Sequence, residues 1–193
     1  MRIPKKAVLF GIGAVVATGA IAMQIPDSAF SGDSVPSQPA DAAGLSMQVD
    51  LSARELSVMK NGEVINTYAV TVGKSAHPTP KGSFGMRRII WNPRWVPPDE
   101  KWAKGKTAKG PGEKGNPMGK VKIFFKEPDY YLHGTLSTSE LGTAASHGCV
   151  RLRNSDIIDL ASLMMEHGGA SVEPGFVRRM INKVRSTKEV RLK

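Results

Sequence analysis

The chain has 193 residues and a formal net charge of +10, with 27 Lys and Arg against 17 Asp and Glu. Once about 45 N-terminal residues are set aside, this length supports one domain with a substantial core and argues against two full domains. The excess positive charge favours polyanionic partners. The sequence contains no helix-turn-helix pattern, zinc-finger spacing or aromatic residues interleaved with basic ones, so we expect no nucleic-acid partner.

Residues 1–25 have the pattern of an export signal. Basic residues precede an apolar run of 17 residues from Ala7 to Met23, and Ala20 to Ala22 offer a small-residue cleavage site. The run is at the short end of what can span a bilayer. We therefore predict a signal peptide or a retained inner-membrane anchor, with the remainder exported to the periplasm or cell envelope. Residues 26–44, rich in Ser, Pro, Ala, Asp and Gly, predict a flexible linker.

From Leu45 the chain shows short alternating runs that are typical of antiparallel strands. Asn61-Gly62 lies between two of these runs and favours a type I′ hairpin turn. Further strand-like segments lie at 84–90, 120–127, 130–135, 149–153 and 188–193. The pattern predicts a mostly β domain over 45–169, built as a sandwich or a partly closed barrel with one or two helices.

The clearest helix is predicted from Asn154 to Gly169. Asn154 or Ser155 is expected to cap it, and its apolar stripe consists of Ile157, Leu160, Ala161 and Met164. Residues 170–193 form a basic C-terminal segment, in which a second helix from Gly175 to about Arg185 and a closing strand are expected.

A loop of some thirty residues, 91–120, contains five prolines and five glycines and shows no helical period. Loops of this length inside a compact domain usually carry function. Trp91, Trp95 and Trp102 lie in it or at its edge. They either pack the loop onto the sheet or line a groove for an extended ligand, and we place Trp91 and Trp95 among the expected substrate-binding residues.

Cys149 is the only cysteine of the chain, so it has no intramolecular disulfide partner. If 149–153 is a strand, Cys149 and Arg151 share one face. The cation would then favour the thiolate, or it would bind a substrate carboxylate. His147 and His133 compete for the role of general base, and the residues alone do not rank them.

Glycines follow both histidines. Gly134 and Gly148 are expected to allow close approach of a substrate, and the amides of Gly148 and Cys149 are candidates for an oxyanion site. Three interpretations of these residues remain open. They are a Cys/His acyl-transfer enzyme, a zinc site formed by His133, His147 and Cys149, and an inert buried cysteine in a binding domain. The zinc interpretation lacks the close paired spacings of structural zinc sites.

The segment His133-Gly-Thr, followed after sixteen residues by Cys149 within SHGCVRL, resembles the signature of the L,D-transpeptidase catalytic domain of bacterial cell-wall enzymes. The resemblance extends from about Ser46 to His167 and includes VGKSAHPTPKGSF, WNPRWVPP and GPGEKGNPMGK. Beyond Gly168, only KEVRLK is available for the closing strand that the family usually has.

The resemblance implies a β-sandwich with a surface groove. Cys149 would be the nucleophile and His133 the base, oriented by the backbone carbonyl of Gly134. His147 and Gly148 would belong to the oxyanion region. Arg151 would interact with the thiolate or a donor carboxylate, and Ser146 is expected among the substrate-binding residues.

The implied substrate is a peptidoglycan stem peptide. Cys149 would attack the carbonyl of its third residue and expel the terminal D-alanine, and an amine from a neighbouring stem or a lipoprotein would take the acyl group from the thioester. Water as acceptor would make the protein a carboxypeptidase, and a non-catalytic wall-binding module with the same fold is a further alternative. We expect no metal and no organic cofactor, and membrane contact only through the N-terminal segment.

Overall fold

The computed structural model describes residues 44–193, so the predicted signal or anchor and nearly all of the predicted linker lie outside the described residues. The described part is mostly β, as predicted, with two helices. Within it, no helix is long and apolar enough to cross a membrane. The elements are β1 Leu45–Asp50, β2 Glu55–Lys60, β3 Glu63–Ala69, β4 Val72–Gly73, β5 Arg88–Trp91, β6 Val121–Lys126, β7 Tyr130–Thr135, β8 Ala144–Ser146, β9 Val150–Arg153, α1 Asn154–His167, α2 Phe176–Asn182 and β10 Lys188–Arg191.

The strands form two larger sheets that share one core. β1, β2 and β3 make an antiparallel meander, and the hairpin turn between β2 and β3 has positive φ at both Asn61 and Gly62, as predicted for a type I′ turn. The second sheet has the order β10-β5-β6-β7-β9. Leu56 and Val58 of the first sheet and Ile123 and Leu152 of the second belong to the same buried cluster. Of the two predicted architectures, sandwich and partly closed barrel, the structure is therefore a sandwich.

β9 joins the sheet in parallel with β7, whereas the other pairs of this sheet are antiparallel. On its other side, Arg151 forms an antiparallel bridge with Thr71, with both backbone N···O distances at 2.9 Å. β9 is thus held on both sides, and the short segment before it, which contains Cys149, is anchored at its C-terminal end.

Helix α1 packs against β6, β7 and β9 through the predicted stripe of Ile157, Leu160, Ala161 and Met164, all of which are buried. The expected capping by Asn154 or Ser155 is wrong. Arg153 occupies the N-cap position without a side-chain cap, and the Ser155 hydroxyl donates to Asp156 instead. The Asn154 side chain is used in a tertiary contact described below.

The basic C-terminal segment is part of the same fold. α2 is shorter than predicted, and its Met180 side chain is buried in the core. The predicted closing strand is present as β10, which pairs with β5 and buries Val190. The Asn92 amide ties α2 to the loop by donating to the carbonyl oxygens of Met180, at 2.8 Å, and Lys183, at 2.9 Å.

Candidate active site

Strand pairing places Lys122, His133 and Arg151 in one row across the second sheet. Lys122 on β6 is opposite His133 on β7, and His133 is opposite Arg151 on β9. Residues in register on neighbouring strands point to the same face of the sheet. The adjacent residues Leu132 and Val150 point to the other face and are buried in the core. The sheet therefore presents a histidine between two cations on the face that turns away from the core.

His133 is only 4% exposed, and its Nδ1 lies 2.8 Å from the carbonyl oxygen of Gly134. Because that carbonyl oxygen accepts a hydrogen bond, Nδ1 carries the proton and donates it to this bond, and the lone pair lies on Nε2. Burial, together with the charges of Arg151 and Lys122, lowers the pKa of His133 to about 3. The imidazole is therefore neutral at physiological pH and is oriented by the carbonyl that the resemblance implied.

The Asn154 side chain lies beside Gly134 and bonds to the backbone of two neighbouring segments. The Asn154 Oδ1 accepts a hydrogen bond from the Lys120 amide at 2.8 Å, and its Nδ2 donates to the Thr135 carbonyl at 3.2 Å. A Cβ on residue 134 would overlap Asn154 Oδ1. The expectation that Gly134 makes room for a substrate is therefore wrong, because the space beside it is filled by this side chain.

We expect Asn154→Ala to lower the free energy of unfolding by about 1 to 3 kcal/mol, since it leaves the Lys120 amide and the Thr135 carbonyl without their partner. Urea unfolding of the full-length protein measures this change. Asn182→Ala, at the exposed end of α2, is the matched control and should change the stability by less than about 0.5 kcal/mol. Equal effects of the two substitutions would contradict the assigned role.

Cys149 directly precedes β9 and is partly buried, with its Sγ 3.5 Å from the carbonyl oxygen of Asp129. Burial raises the pKa of the thiol above its ordinary value. The backbone and hydroxyl of Tyr131 and the charges of Lys122 and Arg151 act in the opposite direction, but burial prevails. Arg151 therefore favours the thiolate as expected, but burial has the larger effect, and the resting form of Cys149 is the thiol, in a groove that the neutral His133 imidazole also lines.

The turn before Cys149 is organised by Ser146, which is 1% exposed. Its hydroxyl donates to the carbonyl oxygen of Cys149 and accepts the Gly148 amide at 3.1 Å. Gly148 has a φ of +105°, and a Cβ there would lie 2.8 Å from the Tyr130 ring. Ser146 therefore holds the backbone turn and has no hydroxyl proton left for a substrate, contrary to the expectation that it binds one.

The Gly148 amide already donates to the Ser146 hydroxyl, so it is the less suitable of the two amides that were expected to stabilise an oxyanion. Among the described residues, the Cys149 amide makes no such hydrogen bond. The backbone N–H of Cys149 is accordingly the donor that remains for a developing oxyanion.

Arg151 lines the groove with its charge already balanced. Its Nη1 pairs with Glu140 Oε2 at 2.5 Å, and its side chain is 22% exposed. An arginine in a close ion pair is less available to a second anion. The ion pair with Glu140, eleven residues earlier in the chain, therefore makes Arg151 less suitable as the receptor of a substrate carboxylate.

The three tryptophans have three different surroundings. Trp91 is 1% exposed and packs edge-on against Phe176 at 5.8 Å, so the expectation that it binds substrate is wrong. Trp95 is largely buried, with part of its surface in the groove wall. Trp102 also lines the groove and stacks on His147, with ring centroids 4.1 Å apart.

These residues surround a groove of about 1470 Å³, which contains both Cys149 and His133 and is walled on one side by the 91–120 loop. The volume exceeds that of typical small-molecule pockets and fits an extended peptide. A second cavity of about 530 Å³ beside α2 and β10 contains no histidine or cysteine. The large groove is therefore the candidate active site.

His147 is partly buried in this groove between Trp102 and His77, whose ring centroid is 4.8 Å away. Burial and the nearby positive charges lower its pKa. The zinc interpretation requires His133, His147 and Cys149 to converge on one point. Within residues 44–193, no three His, Cys, Asp or Glu side chains are grouped to ligate one metal ion.

Sequence reasoning missed Tyr131 and Lys122. Side chains alternate between the two faces of a strand, so the segment YYLHGT by itself predicts that Tyr131 lies on the same face as His133. Lys122 could be placed only through the β6–β7 register, which aligns it with His133. Both side chains line the groove and influence the pKa of Cys149.

Comparison with known proteins identifies the class that this fold and site define. Residues 46–177 match the YkuD family, the L,D-transpeptidase catalytic domain. The chain belongs to this family.

Two relatives bear the family's name. The YkuD protein of Bacillus licheniformis is 29% identical over 126 residues, which cover 65% of this chain and 64% of that protein. The YkuD protein of Bacillus subtilis is 30% identical over 116 residues, which cover 60% and 58%. The chain thus spans about six-tenths of the length of these relatives. The solved catalytic domain of the E. faecium L,D-transpeptidase is 19% identical, with a TM-score of 0.42, over 63% of this chain and 90% of that one.

Proposed function

We propose that the protein is an L,D-transpeptidase that acts on peptidoglycan stem peptides through a thioester on Cys149. The observation that carries this proposal is that a lone thiol and a neutral, carbonyl-oriented histidine line the same peptide-sized groove. Family membership supports the same reaction class.

In the first step, Cys149 Sγ attacks the carbonyl carbon of the third stem residue while His133 Nε2 takes the thiol proton. The Cys149 amide donates to the oxygen that becomes negative. The C–N bond to the terminal D-amino acid then breaks, and the leaving nitrogen receives the proton from His133. A thioester on Cys149 and a free D-amino acid result.

In the second step, the amine of an acceptor stem attacks the thioester. His133 removes the proton from the attacking nitrogen, the C–S bond breaks, and the thiol regains its proton. A new amide bond joins the two stems. A neutral imidazole is needed at the start of both steps, and burial, which lowers the pKa of His133, keeps the ring neutral at physiological pH.

Location and acceptor are also part of the proposal. The N-terminal sequence, with basic residues followed by an apolar run, supports export. Export would bring the protein to peptidoglycan, which lies outside the cytoplasm. A second stem peptide is the proposed acceptor, because the groove of about 1470 Å³ is lined by both the 91–120 loop and residues between 128 and 140, which leaves room for two peptide segments. A lipoprotein amine uses the same chemistry.

The proposal predicts the product profile of the full-length protein with disaccharide-tetrapeptide stems. Cross-linked dimers joined through third residues should accumulate together with free D-alanine, and mass spectrometry of the products measures both. Cys149→Ala is the matched control and should give neither. Trimmed monomers without dimers would instead identify a carboxypeptidase, and unchanged stems with a folded protein would indicate a binding module.

A further inference from the structure

Two cations flank His133 in the groove, and only one of them has a counter-ion. Arg151 is paired with Glu140. Lys122 makes no ion pair with any carboxylate among residues 44–193. Arg151, which the sequence suggested as a carboxylate receptor, is thus already paired. Lys122, on the other side of His133, is not paired with a carboxylate among the described residues.

Aromatic rings hold the Lys122 ammonium at the groove wall. Its Nζ lies 3.7 Å from the centroid of the Tyr131 ring and 4.5 Å from that of Phe124. Ring faces attract a cation but accept no conventional hydrogen bonds, so the three N–H donors of the ammonium are left for another partner. A lysine positioned in this way is prepared to bind an anion.

The surroundings strengthen such an interaction. Lys122 is partly buried, and this burial lowers the pKa of its ammonium. A partly desolvated charge without a counter-ion interacts more strongly with an incoming anion than a surface lysine does. The acidic side chains nearest in sequence, Glu127 and Asp129, are both exposed.

We propose that Lys122 forms a carboxylate-binding site for the leaving group of the acyl donor. This inference rests on the proposed function. The terminal carboxylate of the donor is three covalent bonds from the carbonyl carbon that Cys149 attacks, so its receptor must be a cation in the groove close to the thiol. Lys122 meets this requirement through its register with His133 and its position in the same groove.

The site would make the protein selective for donors that end in a free carboxylate. An amidated terminus keeps the scissile bond but removes the negative charge. Hydrogen bonds to charged groups are about twice as strong as neutral ones, so the two donors should be distinguished by about tenfold or more.

The test compares acylation of full-length protein by a stem tetrapeptide with a C-terminal carboxylate and by the same peptide with a C-terminal amide. For the carboxylate donor, Lys122→Met should lower kcat/KM by about tenfold or more. For the amide donor, the loss should be several times smaller, because only the influence of the Lys122 charge on Cys149 and His133 is removed. Lys122→Arg should retain the preference. Lys126→Met removes an exposed lysine of the same strand outside the groove and should change neither value.

Equal losses for both donors in Lys122→Met would overturn the inference. A shifted pH profile of Cys149 alkylation with the carboxylate preference intact would also overturn it, since Lys122 would then act on the thiol. Binding of the two peptides to Cys149→Ala, measured by calorimetry, separates this site from the proposed reaction. A Lys122-dependent preference in binding supports the site even if no acyl transfer is found, and its absence refutes the site even if transfer occurs.

Discussion

Cys149→Ala is expected to abolish covalent modification of the protein by a carbapenem, which mimics the acyl donor. Intact-mass measurement should show one adduct on the wild-type chain and none on the variant, because residue 149 is the only cysteine. Thioester formation with a stem tetrapeptide should be absent from the variant, because no thiol is left to acylate. Release of D-alanine should fall by at least about 1000-fold, since removing a catalytic nucleophile generally has effects of this size or larger.

Reactivity with a simple alkylating agent provides the matching control. Because burial raises the pKa of the Cys149 thiol, alkylation should be slow near neutral pH and should accelerate as the pH rises. The urea-unfolded chain should react with the pH dependence of an ordinary cysteine. Fast, pH-independent alkylation of the folded protein between about pH 6 and 8 would reveal a resting thiolate and contradict the assigned protonation state. Slow alkylation is thus compatible with catalysis, and the carbapenem adduct is the decisive observation.

His133→Ala is expected to reduce thioester formation by about 100- to 10 000-fold, the usual range for a general base. His147→Ala should reduce it by less than about tenfold. The reason for the difference is geometric. His133 is oriented by the Gly134 carbonyl through Nδ1, which leaves the lone pair on Nε2, whereas His147 stacks on Trp102 and lies against the tilted ring of His77. Pre-steady-state acylation of each full-length variant measures the effect.

Burial of His133 calls for a check on folding. His133→Gln retains a polar side chain at the site, and both variants should be compared by circular dichroism and thermal unfolding before their rates are interpreted. If folded His133 variants acylate at nearly the wild-type rate while His147→Ala does not, the base is His147 and the present assignment is wrong.

Local patterns were sufficient for most of the fold. The positive φ values required by a type I′ turn are a property of Asn61-Gly62 itself, and the buried stripe of α1 follows from its own periodicity. Two local predictions failed because a distant partner took the side chain. Asn154 bonds to Lys120 and Thr135 and leaves the helix end uncapped, and Trp91 is buried against Phe176 of α2. Neither partner can be inferred from nearby residues.

The site shows the same division. Cys149 and His133 were recognised from their spacing and from the segments around them, and both line the groove. The surroundings of the thiol were predicted less well. Arg151 does favour the thiolate, as expected, but burial raises the pKa of the Cys149 thiol by more than the Arg151 charge lowers it, and the pairing of Arg151 with Glu140 was not foreseen.

The sequence by itself determined most of the strands and both helices, the lone nucleophile candidate and the family signature, because these depend on residue identity and short-range spacing. Only the tertiary structure placed β9 beside β7 and aligned Lys122 with His133. The physical reason is that strand register and burial are set by residues far apart in the chain. The same long-range packing determines which charges around Cys149 are paired and which remain available to a substrate.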